Sequence, residues 1–380
     1  MAHTTKKVLA FYCSSTSWGG LEMNSVRYAL WMKEAGYKVL VYAVRDTPLA
    51  RQAAMQGLEV RNVQRNRKYF DVLSARRLAK QFQADGIALV WFRDTRDMDT
   101  LGWAKRFSLN SFKLLYQQAM QFGVSKRDVF HTARFRPIDA WVSTLDFLRA
   151  QVESATRFSK RKIHVVPLGV DTSRLKSDEN LRLPARAHFA IHSDVFLFGV
   201  LGRLDPLKGQ HLAIEALIRL HQKGMHAHLL LAGEATLNEG DDYVKRLHSM
   251  VSEFGLEEFV HFKPYSADVQ HFYHAIDVFL LCSKGETFGT VTIEAMSCGL
   301  PIIGTNSSGT PEILDSGRCG ILVKPDEVSE LVAAMENCMD SSKREEIREM
   351  GIRAKERFHR LYSKETSVKR MIEIVKDCIK

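Results

Sequence analysis

The sequence predicts an α/β protein built from two doubly wound, Rossmann-like domains, and three observations carry that prediction. Short apolar runs recur along the chain, each followed by a stretch with helical spacing, which is the alternation of parallel βαβ units. The alternation dissolves once, into the polar stretch TSRLKSDENLRLPARAHF around residues 171–190, the best linker candidate. The length, 380 residues, suits two domains better than one. The expected domains are 1–178 and 179–362, with a last helix, 363–380, packing back on the first.

The elements follow in order. KVLAFYC is a strand, SSTSWGG a loop, LEMNSVRYALWMKEAG a helix stopped at Gly36, and KVLVYAV a second strand. Further strands are expected at ALVWF (88–92), KLLY (113–116), AWVS (140–143) and HVVPLGV (164–170). The second series begins at VFLFGVLG (195–202) and continues through HLLLAG (228–233), VHF (260–262), VFLLCS, PIIGT and GILV (320–323). The last helix starts near Ser363, after RFHRLY, which reads as exposed. Two such domains facing each other would form a cleft lined by the carboxyl ends of both sheets, where open α/β folds bind ligands.

Composition is that of an ordinary soluble protein, 45% hydrophobic and 26% charged. Cys13, Cys282, Cys298, Cys319, Cys338 and Cys378 include no CxxC pair. That usage points to buried thiols in a reducing, cytoplasmic setting, with neither a disulfide framework nor a zinc knuckle. No apolar run approaches the roughly 18 residues of a membrane span. The apolar stretch of KKVLAFYCSS is too short for a signal peptide and reads as a first buried strand. The net charge of +10 is uneven: residues 1–184 hold 31 basic and 16 acidic residues, leaving 23 and 28 for the remainder. Different partners for the two halves are therefore expected.

In FGVLGRLDPLKGQ (198–210), Gly202 allows a tight turn, and Arg203 and Lys208 leave the loop five residues apart. Both can reach one anion, the guanidinium as a fork and the ammonium as a point charge. Two solvated surface cations are the bland alternative. CSKGETFGTVTIEAMSCG (282–299) supplies a matching half. The N–H groups of Phe288, Gly289 and Thr290 would point out of a helix N-terminus, a ready anion site. Glu294, just over a turn later, can accept two hydroxyls as a carboxylate does from a ribose diol. Glu286, before the turn, would lie beyond the phosphates, so the two carboxylates bracket a nucleotide diphosphate. In STSWGGLE (15–22), Gly19 and Gly20 allow close backbone approach, a weaker signal. Asp97-Met98-Asp99 imitates a metal-binding D-x-D in a polar loop, where Arg93 and Arg96 can neutralise it. His271 and His274 lack a third ligand. No metal site and no nucleic-acid recognition motif is expected.

The segments SWGGLE, GRLDPLKG, ETFGTVTIEAMSCGLPII and SSGTPEIL resemble a retaining glycosyltransferase of family 4 with the GT-B fold. The resemblance implies a nucleotide diphosphate sugar as donor, no cofactor and no metal. It assigns the diphosphate to Arg203 and Lys208, with Gly19, Gly20 and Gly202 beside it. It assigns the ribose to Glu294, the donor sugar to Glu286, and the intervening donor contacts to Thr287, Phe288, Gly289 and Thr290. Many relatives carry a histidine after a first-domain strand. KLLYQQAMQFG offers Gln117 and Gln118 instead, with His131 farther on, as acceptor-side candidates. The acceptor would be a glycan or glycolipid, in bacterial cell-surface glycan or lipopolysaccharide synthesis. A nucleotide-sugar epimerase and a non-catalytic nucleotide-sugar sensor remain alternatives. In the basic segment 61–82, Phe70, Leu73, Leu78 and Phe82 can pack inward while Arg76, Arg77 and Lys80 project outward. Lys105, Arg106, Lys126 and Arg127 add to the same charge, which fits an anionic membrane surface on its cytoplasmic side.

Overall fold

The computed structural model describes residues 7–66, 71–172, 179–235, 241–264, 266 and 268–380. The chain forms two units, Met1–Pro167 with Ser367–Lys380, and Leu168–Thr366. The first crossing thus falls at 167/168, earlier than the 178/179 read from the sequence, and the return falls at Ser367.

Seven strands of the first unit form one parallel sheet: β1 (Val8–Cys13), β2 (Lys38–Val44), β3 (Glu59–Val63), β4 (Ile87–Phe92), β5 (Lys113–Gln117), β6 (Ala140–Ser143) and β7 (Ile163–Val165). Their order is β3-β2-β1-β4-β5-β6-β7, so the winding reverses between β1 and β4. Tyr12 pairs with Tyr42 on one side and Phe92 on the other, and Phe92 with Tyr116. This buried aromatic row closes the carboxyl end of the sheet's middle. The sequence reading missed β3, because the edge strand EVRNV leaves Glu59 and Asn62 exposed and shows no apolar alternation. Of the expected strand 164–170 only His164 and Val165 lie in β7, since Pro167 has no N–H for a ladder, and Val170 forms an isolated bridge to Ser363. The helix Val72–Ala84 buries Ala75, Leu78, Ala79 and Phe82, a spacing of i, i+3, i+4, i+7. Leu73, expected inward, is 69% exposed. It lies five residues before Leu78, about 140° round the helix. Phe70 lies outside the described residues. Lys105 is also not the surface cation expected: it is buried, donating from Nζ to Asp139 Oδ2 (2.5 Å) and Pro137 O (2.8 Å).

The second unit holds β8 (Leu197–Leu201), β9 (His228–Ala232), β10 (Val260–Lys263), β11 (Val278–Leu281), β12 (Ile302–Thr305) and β13 (Ile321–Val323). They form a parallel sheet in the order β10-β9-β8-β11-β12-β13. The polar stretch read as a linker contains the helix Arg182–His188, and this corrects that reading; residues 173–178 of it lie outside the described set. Arg186 explains the difference. Its buried guanidinium donates to Ala275 O (2.9 Å), Ser193 O (2.6 Å), Val195 O (2.8 Å) and Asp277 Oδ2 (2.8 Å). A charged residue is thus a core residue here, supplied with acceptors for its donors. RFHRLY, expected exposed, ends the helix Arg344–Leu361 and buries Phe358 and Tyr362. The last helix, Lys364–Ile379, returns to the first unit: Tyr28 Oη lies 2.7 Å from Ser367 Oγ, which donates to Pro167 O (2.8 Å).

At the start of β9 and within β10, His228 Nδ1 and His261 Nε2 lie 3.0 Å apart with stacked rings. Burial, then the neighbouring His228 and Lys263, push His261 down to about 4, and His228 is lowered too. An unfolded histidine titrates near 6.5. Between those values the unfolded chain takes up protons that the folded one refuses. Stability is therefore full above about pH 6.5 and falls as the pH drops towards 4. Urea unfolding at a series of pH values should show this fall, and His261→Asn should flatten it. An equal slope in both proteins would place its origin elsewhere.

Candidate active site

β8 and β11 are neighbours, so the loops after them meet at one edge of the second sheet. After β8, Gly202 runs at φ 151°, and a Cβ on Gly233 (φ 155°) would stand 1.9 Å from its carbonyl oxygen. The two turns touch only as glycine on glycine. Asp205 Oδ1 accepts from Leu207 N (2.8 Å) and starts a single tight turn, Pro206–Lys208. Gly209 follows at φ 71°, where a Cβ would lie 2.3 Å from the Cys282 carbonyl oxygen. That approach seats one loop on the other, and Lys284 N donates to Leu207 O (3.1 Å). In the result Lys208 Nζ donates to Glu286 Oε2 at 2.6 Å across 78 positions of sequence. Arg203 presents a side chain that is 63% exposed, 3.9 Å from Asp205.

Gly289, at φ 69°, caps the helix Thr290–Ser297. Phe288 is buried with its ring 6.1 Å from Tyr362, which anchors the turn, and Thr287 is half-buried before it. Thr292 N bonds back to Gly289 O (2.9 Å), whereas Thr290 N and Val291 N take no backbone acceptor among the described residues. The first turn therefore presents open donors. One turn on, half-buried Glu294 places Oε2 2.9 Å from Tyr273 Oη, itself 3.0 Å from Val291 O. Tyr273 positions this carboxylate, yet the sequence reading passed it over. It stands 21 positions away, in a segment read only for its histidines. Of those, His271 stacks on His188.

In the first unit, Gly19 precedes the helix Gly20–Glu34 in extended backbone. A Cβ at Gly20 would meet nothing within 4 Å, and one at Gly19 only Glu22 Oε2 at 3.7 Å. The fold itself requires neither glycine. Asp97 and Asp99 do not lie together in a loop neutralised by Arg93 and Arg96, as the sequence suggested. Asp97 is buried at the start of the helix Met98–Phe107 and accepts from Ser14 N (3.1 Å), Ser14 Oγ and Asn66 Nδ2 (2.9 Å). Burial pushes its carboxyl up to about 7 against those three donors. Asp99 pairs instead with Arg134 at 3.0 Å. Gln118 is held at both ends of its amide: Oε1 accepts from Trp141 Nε1 (3.2 Å) and Ser143 Oγ (2.9 Å), and Nε2 donates to Met120 O (3.0 Å). Gln117 Oε1 accepts from Trp91 Nε1 (3.2 Å) and Arg93 Nη1 (2.9 Å). His131, on the helix Val129–Phe135, has Nδ1 2.6 Å from the exposed Asp128 carboxylate that caps that helix.

Residues 184–357 match the family described as Glycosyl transferases group 1. A D-inositol 3-phosphate glycosyltransferase of Stackebrandtia nassauensis is 28% identical over 189 residues, 48% of this chain and 42% of that protein. The chain thus spans less than half the length of that relative. A GDP-mannose-dependent alpha-(1-6)-phosphatidylinositol monomannoside mannosyltransferase of Mycolicibacterium smegmatis is 29% identical over 282 residues, 71% of this chain and 72% of that protein. In structure, Anabaena HepE in complex with UDP has a TM-score of 0.85 at 20% identity, covering 98% of this chain and 100% of that one. The fold is therefore GT-B, with two parallel-sheet Rossmann-like units.

Gly209→Ala tests the loop contact on which the Lys208–Glu286 pair rests. A positive φ and a backbone carbonyl in the way should cost about 1–3 kcal/mol. Calorimetry should find the thermal midpoint lowered by roughly 2–4 °C per kcal/mol. An unchanged midpoint would show that the loops do not depend on this contact.

Proposed function

Because residues 184–357 match the glycosyl transferases group 1, we propose that this chain moves a sugar from a nucleotide diphosphate sugar to an acceptor hydroxyl, with retention and without a metal ion. The observation that carries the reading is the meeting of Lys208 with Glu286 at the ends of β8 and β11, beside an exposed Arg203. An entering diphosphate competes with Glu286 for the Lys208 ammonium, and Arg203 adds a fork for the same oxygens. The open donors of Thr290 and Val291 favour negative charge at the helix N-terminus. As the C1–O bond to the diphosphate breaks, charge grows on the leaving oxygen, and these fixed cations and dipoles stabilise it. The acceptor hydroxyl bonds to C1 from the same face and passes its proton to the leaving phosphate. Freed from Lys208, Glu286 accepts hydrogen bonds from the donor sugar. Glu294, held by Tyr273, accepts the ribose hydroxyls.

Support for the donor class comes from the relatives' own names, which include a GDP-mannose-dependent enzyme, and from HepE, which binds UDP. An acceptor on a glycan or glycolipid of the bacterial surface fits the phosphatidylinositol mannoside and lipopolysaccharide enzymes among the similar proteins. Incubation with donor alone tests the epimerase alternative, since an epimerase changes the sugar unaided.

Lys208→Ala should lower kcat by about 10²-fold or more, beyond any rise in KM. Wild-type kcat with only a raised KM would remove the leaving-group role. Glu294→Ala should weaken free UDP or GDP in calorimetry, whereas Glu286→Ala should spare nucleotide affinity and abolish transfer; the reverse pattern would overturn the assignment.

Arg76, Arg77 and Lys80 form an exposed basic face, with Arg76 Cζ 5.1 Å over the Phe107 ring. No described helix is long and apolar enough to cross a membrane. We place this face on the anionic inner surface of the cytoplasmic membrane, where each cation contributes about 1 kcal/mol. Sedimentation with anionic liposomes should be salt-sensitive and lost on changing all three residues to Glu. Equal binding to neutral vesicles would remove the electrostatic docking.

A further inference from the structure

At the carboxyl ends of β4 and β5, next to the point where the winding reverses, a buried cation stands without an anion among the described residues. Phe92 pairs with Tyr116, so Arg93 and Gln117 come next to each other as β4 and β5 end. Arg93 is 4% exposed and Gln117 fully buried. One guanidinium nitrogen, Nη1, donates to Gln117 Oε1 (2.9 Å), and the same oxygen takes Trp91 Nε1 (3.2 Å). Two donors are left buried with no partner among the described residues, Arg93 Nε and Gln117 Nε2. Reversing the amide would set Nε2 against two other donors, so its orientation is forced. The ionisable groups facing the guanidinium are Tyr28, Tyr116, Arg27 and Cys13. Burial raises both Tyr116 and Cys13, which keeps them neutral, and Arg27 adds a second positive charge. Burial pushes Arg93 itself down only to about 10, so it stays charged. Arg186, equally buried in the second unit, meets five acceptors including Asp277. Here what is missing is specifically an acceptor, at the place where open α/β sheets hold ligands.

We propose that Arg93 and Gln117 form an anion subsite that receives a phosphate monoester carried by the acceptor. The proposal rests on the glycosyl-transfer reading for its acceptor, but not for the anion itself. A phosphate offers oxygens to both orphaned donors and charge to the guanidinium, and its remaining alcohol carries the sugar or polyol to be modified.

The intact chain, without nucleotide sugar, is titrated by calorimetry with D-glucose 6-phosphate, D-glucose and inorganic phosphate. Glucose 6-phosphate should bind most tightly, and glucose not measurably. Arg93→Gln should weaken glucose 6-phosphate at least tenfold, and Arg93→Lys, which keeps charge but loses the fork, should fall between. Gln117→Glu guards against misfolding as the cause. It supplies the absent anion from within, so it should hold or raise the thermal midpoint while abolishing phosphate binding. Inorganic phosphate binding as tightly as glucose 6-phosphate would overturn the acceptor assignment in favour of a free anion. Unweakened binding in Arg93→Gln or Gln117→Glu, or no phosphate binding by the wild type, would overturn the subsite. UDP titration of the same samples reports on the second unit, so a failure of the donor reading is seen separately.

Discussion

A parallel sheet sends every strand out at the same edge, and the placement of each functional side chain here follows from that constraint. In the second unit, β8 and β11 are adjacent, and the residues just beyond them converge although they are far apart in sequence. The separation of the two loops is set by a glycine at 209 resting on a carbonyl at 282. In the first unit, β1 and β4 are adjacent, and Ser14 and Asp97 beyond them are joined in the same way. One edge ends in the ion pair of Lys208 with Glu286. The other ends in a carboxylate enclosed by uncharged donors, which fixes the loop leading to Gly19.

The strands were legible because a parallel strand buried on both faces is a continuous apolar run, as in VLAFYC, IALVWF and HLLLA. Where an element meets solvent or carries a long polar side chain inward, that signal fails, as at β3 and at the helix around Arg186. Of the candidate site, the sequence exposed what lies within one loop and its following turn. The Arg203–Lys208 spacing and the Glu286–Glu294 spacing are of this kind. What it concealed depends on which strands become neighbours. Tyr273 beneath Glu294 and Asn66 beside Asp97 are separated from their partners by 21 and 31 positions, and no local pattern ties them. Leu73 failed for a smaller reason, a phase error round one helix.

Asp97 and Arg186 show how a fold carries an ionisable group inside by surrounding it with hydrogen-bond partners. Asp97 is held by a backbone N–H, a hydroxyl and an amide, so its neighbours offer hydrogen bonds and no full opposite charge. Arg186 draws on four carbonyls and a carboxylate. In both, the geometry of the surrounding loops is dictated by the need to satisfy one ionisable group. That converts a costly burial into a determinant of loop position.

The first unit is discontinuous: Tyr28 and Ser367 share a hydrogen bond across 339 positions, and Met371 and Val375 fill its interior from the returning helix. A ribosome adds about 5–20 residues per second. The roughly 200 residues of the second unit therefore separate the first unit's sheet from its last helix by about 10–40 s at that rate. The second unit, contiguous from 168 to 366, can close as soon as it emerges. During synthesis the amino-terminal sheet waits with a bare apolar strip, and the half of the protein made first is the half completed last.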